Sequence, residues 1–326
     1  MDIGSYSLKV SQMKINKGKF QLLSVIREKL QMFKGENNNS NLGNKLKYVF
    51  GKLDSYPKTI ITAINNNSLI TRNIRLPQIT NSELDQALRW AVADYVPYPV
   101  KEIKMKYKVI SDNQKELRIL LIAIKKEDLN NFLNPFSKLN LKPEVVNVQP
   151  MALMSLLIYQ NKAAEPVIIV DFGFKNSQII IGDADNIYLY RNLNIGSRDF
   201  TKIIKQVLGL DFLAAEEYKI NHNFFTGNSD DLMINKKFKS LMADIIEEIS
   251  RSLEYYSTNN DDQKLTTLYL TGGGALLSGL VKYMNKKLEL KVELINPGLG
   301  LNVQQQAYDF AVNIGLGISE VLHNEN

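Results

Sequence analysis

Val167-Ile168-Ile169-Val170-Asp171-Phe172-Gly173-Phe174-Lys175-Asn176-Ser177-Gln178-Ile179-Ile180-Ile181 is the stretch whose reading decides the fold. Four β-branched residues after Pro166 predict a buried strand, and Ile179–Ile181 predict a second strand returning from it. Asp171 stands where the first strand emerges. Gly173 lets the backbone turn tightly or approach a ligand closely. Ser177 opens the return strand. A carboxylate, a glycine turn and a hydroxyl in this order suit nucleotide phosphates and their Mg²⁺. Taken alone, Asp-x-Gly-x-x-x-Ser fits an ordinary hairpin with a polar turn equally well.

The chain opens on a second copy. Asp2-Ile3-Gly4-Ser5-Tyr6-Ser7-Leu8-Lys9-Val10 repeats an aspartate, a glycine, hydroxyl residues and an alternating strand that carries Lys9. Two such hairpins far apart predict two related halves closing on one ligand. A third element is Leu268-Tyr269-Leu270-Thr271-Gly272-Gly273-Gly274-Ala275, a strand running into three glycines, with a helix expected over about 276–288. Bare backbone there would admit a base or a phosphate at a helix N-terminus; a flexible turn is the other reading.

Composition narrows the field. The 326 residues suffice for more than one domain, and 44% hydrophobic with 23% charged is ordinary for a folded, water-facing protein. The +6 charge is spread along the chain without a basic block interleaved with aromatics, so nucleic acid is not favoured. Cysteine is absent and only His222 and His323 are present, which excludes disulfides and thiolate or histidine-cluster metal sites. No apolar run reaches membrane-spanning length and no signal peptide is recognisable.

Between the two hairpins the order is strand, strand, helix, strand, strand up to Leu76, with polar loops expected at Gly35–Asn41 and at Asn16-Lys17-Gly18. A helix is expected over 42–53. Pro77 reads as a boundary. Thr80-Asn81-Ser82-Glu83 has the form of a capping box, and Tyr95-Val96-Pro97-Tyr98-Pro99 stops the helix that follows. Two strands, a helix and a strand to Val148 complete a small inserted unit. Trp90, the single tryptophan, reads as a core residue first and as part of a partner-binding face second. Gln149-Pro150-Met151 opens a helix. Further on come a short helix with Glu216 and Lys219, a loop at Thr226–Asp231, a long helix over about 234–256 and a loop at Asn259–Lys264. The last helix, expected over about 303–322, carries Gly315 and Gly317, which cost helical stability and so predict close packing against a neighbour.

These three elements in this order resemble the actin-like ATPase superfamily. The inserted unit resembles the FtsA and PilM branch, through Asp94-Tyr95-Val96-Pro97-Tyr98-Pro99, Ile122-Ala123-Ile124-Lys125-Lys126-Glu127-Asp128, Leu141–Val148, Leu288–Pro297 and Ala311–Gly317. The resemblance implies an α/β, actin-like (ribonuclease H-like) duplicated fold, with two lobes around a nucleotide cleft. Residues 1–76 would form the first-lobe core and 77–145 the inserted subdomain. Residues 146–166 and 303–326 would complete the first lobe and the link between lobes, and 167–302 would be the second lobe. ATP and Mg²⁺ are the implied cofactors. Asp2 and Asp171 would hold Mg²⁺ through water. Gly4, Ser5, Ser7, Gly173 and Ser177 would contact phosphates, with Lys9 there, in a salt bridge or simply solvated. Glu216 and Lys219 would meet ribose and base, or form an exposed helical pair. Gly272, Gly273 and Gly274 would cradle the adenine. Gln149, with Asp171, would serve catalysis by positioning the attacking water, or would merely face solvent at a helix start.

Two departures stand out. Asp2 follows only Met1 where the superfamily has an apolar strand, so either the chain is cut short or the first loop is held less firmly. Phe174, Lys175 and Asn176 make the second loop bulky. The resemblance implies a cytoplasmic scaffold of type IV pilus assembly with weak ATP turnover at most. It would be peripheral to the inner membrane through a PilN-type partner whose N-terminal tail lies near Trp90, Tyr95 and Pro97. An FtsA-like, self-associating polymer is one alternative, although no membrane-targeting helix follows Leu322. A secretion-system counterpart and a small-molecule kinase are the others.

Overall fold

The computed structural model describes residues 1–16, 19–30, 38–53, 55–66, 68–112, 116–225, 232–260, 264–298 and 305–324. The first lobe begins with β1 (Asp2–Ile3), β2 (Ser7–Asn16), β3 (Lys19–Lys29), α1 (Asn38–Gly51) and β4 (Ile61–Ile64). The insertion holds β5 (Ile70–Pro77), α2 (Asn81–Tyr95), β6 (Ile103–Asp112), β7 (Glu116–Lys125) and α3 (Lys126–Ser137). Next come β8 (Val145–Val148) and α4 (Gln149–Tyr159). The second lobe has β9 (Val167–Phe172), β10 (Ser177–Gly182), β11 (Ile187–Leu193), α5 (Ser197–Leu208), α6 (Phe212–Asn221) and α7 (Leu232–Asn259). It continues with β12 (Thr267–Thr271), α8 (Leu280–Leu288) and β13 (Lys291–Leu294), and α9 (Ala311–Asn324) follows.

The two large sheets have one topology. Their strand orders are β3-β2-β1-β4-β8 and β11-β10-β9-β12-β13. In each, the first three strands are antiparallel, and the last two run parallel to the strand that bears the aspartate. β1 has only two residues, yet it lies between β2 and β4, with Asp2 opposite both Lys9 and Ala63. The first hairpin turns at Gly4–Tyr6, and its return strand is β2, which begins at Ser7. The duplicated architecture follows from the apolar β-branched runs, which bury both faces of β9 and β10.

α4 and α9 pack between the two sheets in one apolar cluster that includes Ile169, Ile180 and Ala63. Pro150 stands in the first turn of α4, where its missing N–H costs nothing. A Cβ on Gly315 would lie 2.0 Å from the Ala152 carbonyl oxygen, and one on Gly317 would lie 2.3 Å from Met13 Sδ. The close approach expected of these glycines is therefore present.

The insertion is a three-stranded sheet, β5-β7-β6, covered on one face by α2. Glu83 accepts from the backbone N–H of Thr80, the reach back that a capping box requires, and also from the Thr80 hydroxyl. One expectation changes. β5 hydrogen-bonds to β7 along its whole length, so the insertion begins at Ile70 and not at Pro77. Pro77 marks a helix entry, which local sequence signals announce, whereas sheet membership depends on pairing with residues some forty positions later. Smaller shifts concern element ends. α1 starts at Asn38, inside the loop expected over 35–41. The glycine run enters a short 3-10 turn, Gly273–Leu276, and α8 begins only at Leu280. The expected turn at 17–18, the loop at 226–231, residues 261–263 of that at 259–264 and residues 35–37 of that at 35–41 lie outside the described residues. Among the described residues, no helix is long and apolar enough to cross a membrane.

Candidate functional site

Strand parity places the polar residues of the site. Asp2 pairs with Lys9 across β1 and β2, and Asp171 pairs with Gln178 across β9 and β10. Lys9 and Gln178 are therefore corresponding residues of the two halves, and each turns toward the cleft beside its lobe's aspartate. Leu8 and Ser177 correspond in the same way and point into the lobes, both fully buried.

The two lobes enclose a cavity of about 1340 Å³. Asp2, Gly4, Ser5, Ser7, Lys9, Gln149, Asp171, Gly173, Glu216, Lys219, Gly272 and Gly273 all line it. Residues almost 170 positions apart thus share one crevice. Two expected residues do not. Ser177 is sealed off and donates its hydroxyl to the Ile195 carbonyl at 2.7 Å. Gly274 is buried beneath the Phe172 ring, which a Cβ would meet at 2.7 Å, so it serves packing.

A polar chain crosses the floor of the cleft. Lys9 Nζ donates to Asp2 Oδ2 at 3.1 Å. Gln149 Nε2 donates to Asp2 Oδ1 at 3.2 Å, and Gln178 Nε2 donates to Gln149 Oε1. Gln178 Nε2 also lies 3.4 Å from Asp171 Oδ2. Gln149 is buried, so it does not face solvent at its helix start; it links the two aspartates. Lys9 is buried in a salt bridge with Asp2, one of its expected roles, and is not simply solvated.

Burial dominates the electrostatics. It lifts the Asp171 carboxyl from its ordinary 3.8 to about 6; Lys9 opposes this, while Asp2 and Asp309 add to it. Burial also works against a charge on Lys9, but Asp2, Asp309 and Asp171 outweigh it and hold the ammonium above its usual value. Asp309 and Arg27 are cleft residues that local motifs did not reveal. Arg27 lies on β3 and Asp309 in the turn before α9, and their charged groups meet at 3.1 Å. Burial raises the Asp309 carboxyl, with Lys9 and Arg27 opposing. A lone acidic residue just before the apolar run Phe310–Val312 was the one signal available for it.

The loops meet across the cleft. Gly4 N–H donates to the Ser7 carbonyl at 3.0 Å, closing the first turn. A Cβ on Gly173 would lie 2.6 Å from the Asn176 carbonyl, which is why the second turn takes glycine. Lys175 N–H donates to Ser5 Oγ at 3.2 Å, and the Tyr6 and Phe174 rings are 4.8 Å apart. On the far wall, Lys219 Nζ donates to Glu216 Oε2, Thr201 Oγ1 and the Ser197 carbonyl, at 2.8, 2.9 and 3.1 Å. Glu216 and Lys219 are buried, not an exposed helical pair, and burial lowers the Lys219 ammonium despite Glu216.

The cavity fits a nucleotide with a divalent cation. Its carboxylates are hard oxygen donors. Buried acceptors at its floor, Gln178 Oε1 and Asp309 Oδ1, have no hydrogen-bond or ion-pair partner among the described residues. Gly273 faces open space, so bare backbone is presented to the cavity. Among the described residues no three acidic or histidine groups converge on one point, so the cation would be held through water and phosphate oxygens.

Trp90 and Pro97 are exposed, Trp90 at 76%, and Tyr95 is 36% exposed. The core reading of Trp90 is thereby corrected. α2 buries Leu84, Leu88 and Val92 against the insertion sheet, and position 90 falls on the opposite face of the helix.

The fold is that of other actin-like proteins. The structure of a PilM-PilN type IV pilus biogenesis complex superposes with a TM-score of 0.85 at 22% identity, covering 98% of this chain and 97% of that one. Ethanolamine utilization protein EutJ from Carboxydothermus hydrogenoformans matches with a TM-score of 0.56 at 13% identity, covering 97% of this chain and 87% of that one. MreB5 of Spiroplasma citri bound to ADP also gives 0.56, at 12% identity, covering 93% and 82%. The family model for type IV pilus assembly protein PilM matches residues 1–314, so the chain belongs to the PilM family of actin-like proteins.

Proposed function

We propose that this chain is an ATP-binding scaffold of type IV pilus assembly. In this reading it stands in the cytoplasm against the inner membrane and holds the N-terminal tail of a PilN-type membrane protein. One observation carries the nucleotide half: the aspartates of two duplicated hairpins share one cavity with the open backbone of Gly273. The pilus half rests on family membership and on the related complex with PilN.

Bound MgATP would supply a γ-phosphate whose presence or loss distinguishes two states of the cleft. Asp2 and Asp171 would orient the cation's water shell. Ser5, Ser7 and the backbone of Gly4 and Gly173 would take phosphate oxygens. Gln149, held between Asp2 and Gln178, would fix a water in line with the phosphate. The short loops and the polar chain favour holding ATP over rapid turnover.

Coupling to the partner has a physical path. Asn73 on β5 donates to the Ile187 and Tyr188 carbonyls on β11 at 2.9 and 3.2 Å, and Leu120 of the insertion packs in the cluster of α4 and α9. A change in the angle between lobes therefore reaches the insertion, where Trp90, Tyr95 and Pro97 offer an apolar face for the tail. Calorimetry with the PilN tail peptide, with and without MgATP, tests this. The peptide should bind, and MgATP should change its affinity. No heat in either condition removes the pilus partner, while failure of MgATP alone to bind removes the nucleotide role.

A further inference from the structure

We propose that the groove between the insertion and the second lobe is a docking site for an extended acidic peptide. It is separate from the nucleotide cleft and from the Trp90 face. β5 is the outer strand of the insertion sheet and β11 the outer strand of the second-lobe sheet, so among the described residues each has one side without a strand neighbour in its sheet. The two strands meet at Asn73, whose amide reaches the Ile187 and Tyr188 carbonyls. Beside that contact a cavity of about 590 Å³ opens, running on to the C-terminal end of α7.

The lining states the chemistry of the occupant. Arg72, Arg75, Arg118 and Arg191 all line the cavity, and among the described residues no aspartate or glutamate does. Arg118 and Arg191 are paired with Glu116 and Glu248 outside the lining. Arg72 and Arg75 form no ion pair among the described residues; Arg72 donates only to the Thr71 carbonyl. Tyr188 and Tyr255 complete the wall, Tyr255 being 55% exposed. Arginine and tyrosine are enriched among the few residues that dominate binding energy at protein interfaces. Outer strands add the backbone donors and acceptors that capture an extended chain, and acidic side chains on one face of the peptide would meet Arg75 and Arg118, which pair across β5 and β7 on one face. A nucleic acid would satisfy the arginines but not the strand edges, so a peptide is the occupant the groove favours. One wall belongs to each lobe, so the groove's width follows the lobe angle.

The test uses the full chain and a fluorescent peptide of alternating valine and glutamate, read by anisotropy. The peptide should bind. Replacing Arg72 and Arg75 together by alanine should weaken it by roughly tenfold or more, with an unchanged melting temperature. Should that variant fold poorly, Tyr255→Ala on α7 should weaken the same peptide on an intact chain. Arg75→Glu should shift the preference toward a valine–lysine peptide. Absence of binding, equal binding of unstructured polyglutamate, tighter binding of single-stranded RNA, or affinity indifferent to these substitutions would overturn the proposal. None of these readouts involves ATP or the PilN tail.

Discussion

At the residue scale, Asp171 sits in a position that weakens the fold of the chain by itself. Its carboxyl is lifted to about 6 by burial, so between 3.8 and about 6 the folded state keeps a proton that the unfolded chain releases. Stability must therefore fall as pH rises through that window, and the loss, on the order of 2–3 kcal/mol, persists above it. Asp171→Asn removes the charge. The ligand-free variant is expected to melt higher than the parent at pH 8 and alike at pH 4, while its stabilisation by MgATP disappears. Melting curves across pH, with and without MgATP, check both parts. A residue that destabilises the chain by itself yet suits a cation is what a binding site requires.

At the element scale, the glycine run divides into three different jobs. Gly272 has φ +87°, and a Cβ there would lie 2.3 Å from Asp171 Oδ1. Gly272→Ala should cost on the order of 2–3 kcal/mol in denaturant unfolding, from strain and from displacing that carboxylate. Gly273 meets nothing, so Gly273→Ala should leave stability within about 0.5 kcal/mol yet weaken nucleotide binding by crowding the cavity wall. Opposite results for these two neighbours, measured by unfolding and by calorimetry, separate a structural glycine from a binding one. The crossing of α4 and α9 makes a similar point. Alanine in place of Gly315 gains helix propensity of about 1 kcal/mol, but its Cβ would run into the Ala152 carbonyl. Backbone cannot yield as a side chain can, so a net loss of roughly 1–3 kcal/mol is expected by urea titration.

At the scale of the whole molecule, two lobes, an insertion and the α4–α9 layer are joined through one cleft. Binding there should stabilise the chain as a unit. MgATP at a hundredfold excess over its Kd should add about 2.7 kcal/mol, seen as a rise of several degrees in a single melting transition. Trp90→Ala should leave that transition in place, within about 0.5 kcal/mol, because the ring is exposed, and should lower affinity for the PilN tail. A large loss of stability would mean that the ring supports the fold instead.

The sequence by itself determined the duplicated hairpins and their aspartates, because a β-branched run, a glycine turn and alternating polarity are local and survive without knowledge of the partner strand. It also determined the capping box at Thr80 and the tight packing at Gly315. Only the tertiary structure decided which polar residues became the site. Ser177 and Gln178 are neighbours, and their roles were assigned by which face of β10 met the cleft. Asp309 and Arg27 came together from opposite ends of the chain. Trp90 stayed outside because Leu84, Leu88 and Val92 took the covered face of α2. Periodicity fixes that two faces exist; what covers each is set by elements tens to hundreds of residues away, through burial and charge pairing that no local pattern encodes.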